Sequence, residues 1–155
     1  MSVARWIAAG FGTGLAPVAG GTVASAAAAL VGAALLWWST LTLAAAALLA
    51  IAGGFWAVRA AGVEGDPGWV VIDEFAGQWI AMLGLAMVTP IGVAASFVLF
   101  RFFDVTKLGP VGWADRRHGA FGVMADDVIA GGLAAAVLLG VRWGWPWLCT
   151  CAQPF

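Results

Sequence analysis

Residues 22–38, TVASAAAALVGAALLWW, carry no charge and close on a pair of tryptophans. An α-helix needs about 20 apolar residues to cross the hydrocarbon core of a bilayer, and tryptophan collects where that core meets water. The stretch therefore predicts a membrane-spanning helix whose far end lies at an interface. Ser39 and Thr40 interrupt it, and a second apolar run, 41–58, ends on Arg59. So short a connection predicts an antiparallel helical hairpin. Gly62, Glu64, Gly65, Asp66, Pro67 and Gly68 then form a polar loop.

The pattern repeats downstream. A third run covers 72–88 and breaks at Thr89 and Pro90; a fourth, short for a bilayer, covers 91–103. A loop carrying Lys107, Gly109, Pro110, Asp115, Arg116, Arg117 and His118 leads to a fifth run, 123–141. The tail holds Trp143, Trp145 and Trp147 and reads as interfacial. With 63% hydrophobic and 10% charged residues in 155, and a mean hydropathy of +0.99, the chain reads as one integral membrane domain, 1–155. The predicted fold is all-α, a polytopic membrane helix bundle of five spans.

Charge sets the orientation and excludes one class of partner. An amino terminus in the cytoplasm puts Arg5, Arg59, Lys107, Arg116 and Arg117 inside and leaves only Arg142 outside, as the positive-inside rule requires. A net charge of -1 with no basic stripe argues against nucleic acid. Gly10, Gly12, Gly14 and Pro17 break the first apolar stretch, so no cleaved leader is expected there. Cys149 and Cys151 lie apart from every charged cluster and read as bystanders, because a C-x-C pair without further ligands cannot complete a tetrahedral zinc site.

The acidic residues carry the chemistry. Asp73, Glu74, Asp104, Asp126 and Asp127 sit at the edges of apolar runs, and a carboxylate near mid-membrane costs about 2.5 to 3.5 kcal/mol. Five are tolerable only near the surface or around cations. In the five-span topology all five emerge on the cytoplasmic side. Asp73-Glu74 and Asp126-Asp127 each open a helix and are followed, three to five residues on, by Gly77 and Gly131, which permit close helix approach. Capping alone would explain one acid at a helix start, not two adjacent acids twice. Clusters of carboxylates without histidine or thiolate select hard cations, Mg²⁺ first.

Arg101, Asp104 and Lys107 fall on one helical face at i,i+3 spacing. They form either a structural ion-pair ladder, or a site in which Asp104 joins the metal cluster while Arg101 and Lys107 bind phosphate. The glycines of the segment 10–17, GFGTGLAP, and of Gly20-Gly21-Thr22 allow backbone N–H groups, with Thr13, Gly14 and Thr22, to approach an anion. The segment is neither a Walker A loop nor a dinucleotide fingerprint. His118 is the only histidine, which rules out two-histidine phosphatase chemistry and leaves metal-assisted attack by water or aspartate. A cation-coupled transporter or channel subunit is the competing reading, and it requires acids spread through the depth of the bilayer.

Four ordered blocks, GFGTGLAP at 10–17 with Gly21-Thr22, IDEFAG at 72–77, FRFFDVTK at 100–107 with Pro110, and GVMADDVIAG at 122–131, resemble those of the phosphatidylglycerophosphatase A family. The likeness runs from about residue 10 to 132. It implies a bacterial inner-membrane, multi-pass, Mg²⁺-dependent enzyme whose active site faces the cytoplasm. The implied reaction hydrolyses the terminal phosphate of phosphatidylglycerophosphate in the inner leaflet to give phosphatidylglycerol and inorganic phosphate. Under that reading Asp73, Asp104 and Asp127 are catalytic, while Asp73, Glu74, Asp126 and Asp127 hold metal. Arg101, Lys107, Thr13, Gly14 and Thr22 then face the phosphate. Gly20 and Leu108 stand where the family usually has proline, changes that affect loop stiffness rather than charge.

Overall fold

The computed structural model describes residues 1–65 and 67–144, so the expectations for Asp66, Trp145, Trp147, Cys149 and Cys151 lie outside the described residues. Helix α1 (Val3–Ala8) is followed by a 3₁₀ segment (Gly10–Leu15) and by α2 (Gly20–Trp38), α3 (Thr40–Ala60) and α4 (Ile72–Met82). Then come α5 (Pro90–Thr106), α6 (Pro110–Asp115) and α7 (Gly119–Gly144). Every regular element among the described residues is helical.

Local chemistry sets the breaks. The Ser39 hydroxyl accepts from Thr42 N at 3.0 Å and starts α3 one residue after α2 ends, which makes the hairpin. Thr89 does the same for α5, accepting from Gly92 N at 3.0 Å with Pro90 in the first turn.

Three helices, α2, α3 and α7, are long and apolar enough to cross a membrane. The expected third span differs most: the run 72–88 is helical only as far as Met82. Eleven residues rise about 16 Å, roughly half a hydrocarbon core. The apolar residues that follow form a turn, with Leu83, Leu85 and Val88 packed beneath Leu36 and Leu43 at the α2–α3 hairpin. Hydropathy does not distinguish a buried apolar turn from a helix in lipid. The 17 residues of α5 likewise fall short of the other spans. Helices α1 and α6 and the 3₁₀ segment were not expected from the sequence.

Helix α4 is the axis of the bundle. It touches α2, α3, α5 and α7, and all its residues from Ile72 to Gln78 are buried. Enclosure by other helices lets it carry Asp73, Glu74 and Gln78, which would be costly against lipid. Gln78 donates to Ser96 of α5 at 3.2 Å. Where α4 crosses α7, a Cβ on Gly77 would stand 2.6 Å from the Asp127 carbonyl, and one on Gly131 would collide with the Gly77 carbonyl. The glycines expected to permit close approach therefore form the crossing itself.

Candidate active site

The connections bring the start of α2, the start of α4 and the end of α5 to one end of the bundle, together with Asp126-Asp127. These two acids do not open α7 as expected but lie about two turns inside it, because the helix already begins at Gly119. There a cavity of about 160 Å³ is lined by Asp73, Glu74, Asp104, Asp126 and Asp127, together with Lys107 and Gly21. Gly68, Val70 and Val71 close the remaining wall, fixed by a hydrogen bond from Val71 N to the Ala8 carbonyl at 2.9 Å. All five sequence-distant acids thus share one pocket. None is more than 9% exposed.

The acids divide into two groups. Asp104, Asp126 and Asp127 each offer an oxygen within 4.8 Å of the others. Glu74 is held apart from them: both its oxygens accept from Arg101 Nη1, at 2.7 and 2.8 Å, and Ser25 donates to it from α2. Arg101 also bridges to Asp104 at 2.6 Å. Asp73 accepts from Glu74 N at 3.0 Å, a helix-start contact, while lining the cavity.

Lys107 is placed by an unusual backbone. As the cap of α5 it adopts φ 50 and ψ 40, a left-handed conformation that disfavours side chains with a Cβ. Such strain persists where surrounding contacts fix it. Its ammonium bonds Asp104 at 3.0 Å, Asp126, and Asp115 at 3.4 Å. Burial works to lower the ammonium's pKa, but the hydrogen bond and charge of Asp126, with Asp104 behind them, outweigh burial and raise it. Lys107 stays charged across the physiological range.

The donor set fits a hard divalent cation. Five carboxylates face two cations, Arg101 and Lys107, leaving an excess of negative charge. Asp126 Oδ1 is buried and has no hydrogen-bond partner among the described residues, an orphan that an ion would satisfy.

Other expected site residues lie elsewhere. Thr13 turns its hydroxyl back to the Gly10 carbonyl at 2.8 Å. Gly14 is pressed against the backbone of Trp69, and Thr22 is exposed on the first turn of α2. None of the three is among the residues lining the cavity. The part of that segment on the wall is Gly21, where a Cβ would collide with the Glu74 carboxylate. Arg101 is also not on the wall and acts on it through Glu74 and Asp104. Ser25 and Asp115 were missed. A lone serine in an alanine-rich run, four residues after Gly21, was the available signal for Ser25.

Comparison with known proteins adds the family. The model of the family described as Phosphatidylglycerophosphatase A matches residues 6–142. The chain belongs to the phosphatidylglycerophosphatase A family. It is 36% identical over 145 residues to Phosphatidylglycerophosphatase A of Escherichia coli, covering 90% of this chain and 84% of the relative. The Haemophilus influenzae phosphatidylglycerophosphatase A is 35% identical over 79 residues, half of this chain and 48% of its own length. A Bacteroides thetaiotaomicron protein, provisionally described as a phosphatidylinositol-3-phosphatase, is 35% identical over 150 residues, with 88% and 92% covered. No solved structure matches. Phosphatidylglycerophosphatases are phosphoric monoester hydrolases, and the acidic cavity belongs to an enzyme of that class.

Proposed function

We propose that the protein removes the terminal phosphate of phosphatidylglycerophosphate in a Mg²⁺-dependent hydrolysis, at the cavity between α2, α4, α5 and α7. The observation that carries this reading is the convergence of Asp104, Asp126 and Asp127 within ligand distance of one another in a member of this family. Mg²⁺ held by these three would polarise the phosphorus centre and make a bound water more acidic. Asp73 lines the cavity outside the three-acid cluster and is assigned to orient the attacking water and take its proton. Lys107 offsets charge developing on the phosphoryl oxygens, and Arg101 positions Glu74 and Asp104. The ester P–O bond breaks and the glycerol oxygen regains a proton, so phosphatidylglycerol and inorganic phosphate leave.

The same reading sets the membrane geometry: amino terminus and cavity on the cytoplasmic side, substrate drawn from the inner leaflet. Arg59, at the end of α3, lies at the end of the bundle that bears the acids, in keeping with the positive-inside rule. A transporter needs acids along a path through the bilayer, and their confinement to one end removes its main support.

The test is phosphate release by the purified protein in detergent, from phosphatidylglycerophosphate and from phosphatidylinositol 3-phosphate, with chelator and with Mg²⁺ restored. Release from the first lipid that stops with chelator and returns with Mg²⁺ is expected. Asp73→Asn and Asp127→Asn should each lose at least about a hundredfold in kcat while keeping the wild-type helical signal. Full activity in chelator, or near-normal turnover by both variants, would overturn the reading.

A further inference from the structure

Between α2 and α5 runs an apolar groove of about 550 Å³, lined by Ala26, Ala29 and Ala33 on one side and Pro90, Ala94 and Phe97 on the other. The only hydroxyl among its lining residues, that of Thr89, is engaged in capping α5. Ala26 and Ala94 are exposed, so the groove opens on the flank of the bundle rather than into its core.

Its upper end reaches the polar site from both walls. On α2, Ala26 follows Ser25, which donates to Glu74; on α5, Phe97 lies one turn before Arg101, which bonds Glu74 and Asp104. At Gly21 a Cβ would collide with the Glu74 carboxylate and stand 3.5 Å from Arg101 Nη1, so the missing side chain lets α2 approach the Glu74–Arg101 pair where the groove nears the cavity wall. From Ala26 to Ala33 the groove descends about 10 Å along α2. It is an apolar groove open on the flank of the bundle, with the charged site beyond one end.

We propose that this groove seats an acyl chain of the phospholipid whose headgroup enters the cavity past Gly21, so that the lipid is taken from the bilayer between α2 and α5. The proposal rests on the hydrolase reading above. Alanines on both walls leave room for methylenes, and since the chain comes from hydrocarbon, the gain lies in close packing against the groove walls rather than in transfer out of water. The groove thus contributes affinity for long-chain lipid while leaving the chemistry unchanged.

Two substrates with the same headgroup separate the claims: diacyl phosphatidylglycerophosphate and its deacylated, water-soluble counterpart. The full chain in detergent is compared with Ala26→Phe, Ala94→Phe and, as a control on the outer face of α3, Leu48→Phe. The groove variants should raise KM for the diacyl substrate roughly tenfold, through loss of the packing contacts that the bulky ring displaces. KM for the soluble substrate and kcat for both should stay within about twofold of wild type. Equal losses on both substrates, or no loss on either, would overturn the proposal. So would an oligomer in wild type that only the groove variants dissolve, since a second copy would then occupy the groove.

Photolabelling of wild type with a phospholipid bearing a diazirine on its acyl chain gives an independent readout, also if the variants misfold. Label should fall on peptides covering 26–33 and 88–97, and label confined to other segments overturns the proposal. Should wild type release phosphate from neither substrate, the hydrolase reading fails and the labelling still decides the occupant of the groove.

Discussion

Lys107 shows how much one residue can hold in place. Its left-handed backbone turns the chain out of α5 while its ammonium reaches back to Asp104 and Asp126. Lys107→Met would leave the buried Asp126 without its cation and Asp104 with Arg101 alone, costing about 3 kcal/mol of stability, the lower end for a buried pair because Lys107 is partly exposed. It should also lower kcat by about a hundredfold. A raised folded pKa means that its stabilising contribution is complete below the ordinary lysine value and lost only as pH climbs through the raised one. The drop in Tm should therefore be equal at about pH 7 and about pH 9, both below the usual lysine pKa. A drop that shrinks between those two points would contradict it. The charge pattern at Arg101, Asp104 and Lys107 was legible because i,i+3 spacing is a local signal. That Arg101 would serve Glu74 rather than line the cavity was not, since it depends on how α4 and α5 approach one another.

At the scale of elements, the crossing of α4 and α7 governs the site, because Asp73 and Asp127 lie just before the paired glycines that bring these helices together. A Cβ at Gly131 meets backbone of Gly77, and backbone cannot move aside as a flexible side chain can. Gly131→Ala should destabilise by about 2 kcal/mol or more, as overpacking does. Its kcat should fall further than that of Gly132→Ala, where a Cβ meets nothing within 4 Å. Equal activities in the two variants would show that the spacing of the helices is not what sets the site. These glycines could be read from the sequence because each sits three to five residues after the acids of a pair. The end of α4 could not. Its apolar continuation looks like a span, and only the packing of Leu83, Leu85 and Val88 under the hairpin turns it into a turn.

For the whole molecule, four of the five apolar runs lie within helices and the third is helical only over its first eleven residues, while three of the helices are long enough to cross a membrane. The convergence of five acids followed from topology alone, since helices joined by short connections return to the same end. The assignment of Thr13, Gly14 and Thr22 to the phosphate did not match the cavity wall, because glycine-rich motifs serve tight packing as readily as anion binding. Orientation is testable by accessibility. With Cys149 and Cys151 replaced by serine, a single cysteine at Ser39 should react with a membrane-impermeant maleimide in intact cells, and one at Glu64 only after permeabilisation. The opposite result would put the cavity on the outer face.

The full enclosure of α4 also bears on biogenesis. A segment of eleven residues with two acids and a glutamine is a poor substrate for independent insertion. Its most extensive neighbour, α7, is the last helix of the described chain to be synthesised. While the ribosome is still making the carboxyl-terminal third, α4 has only part of its shelter. Nascent chains stalled before α7 should accordingly be the forms that quality-control proteases clear.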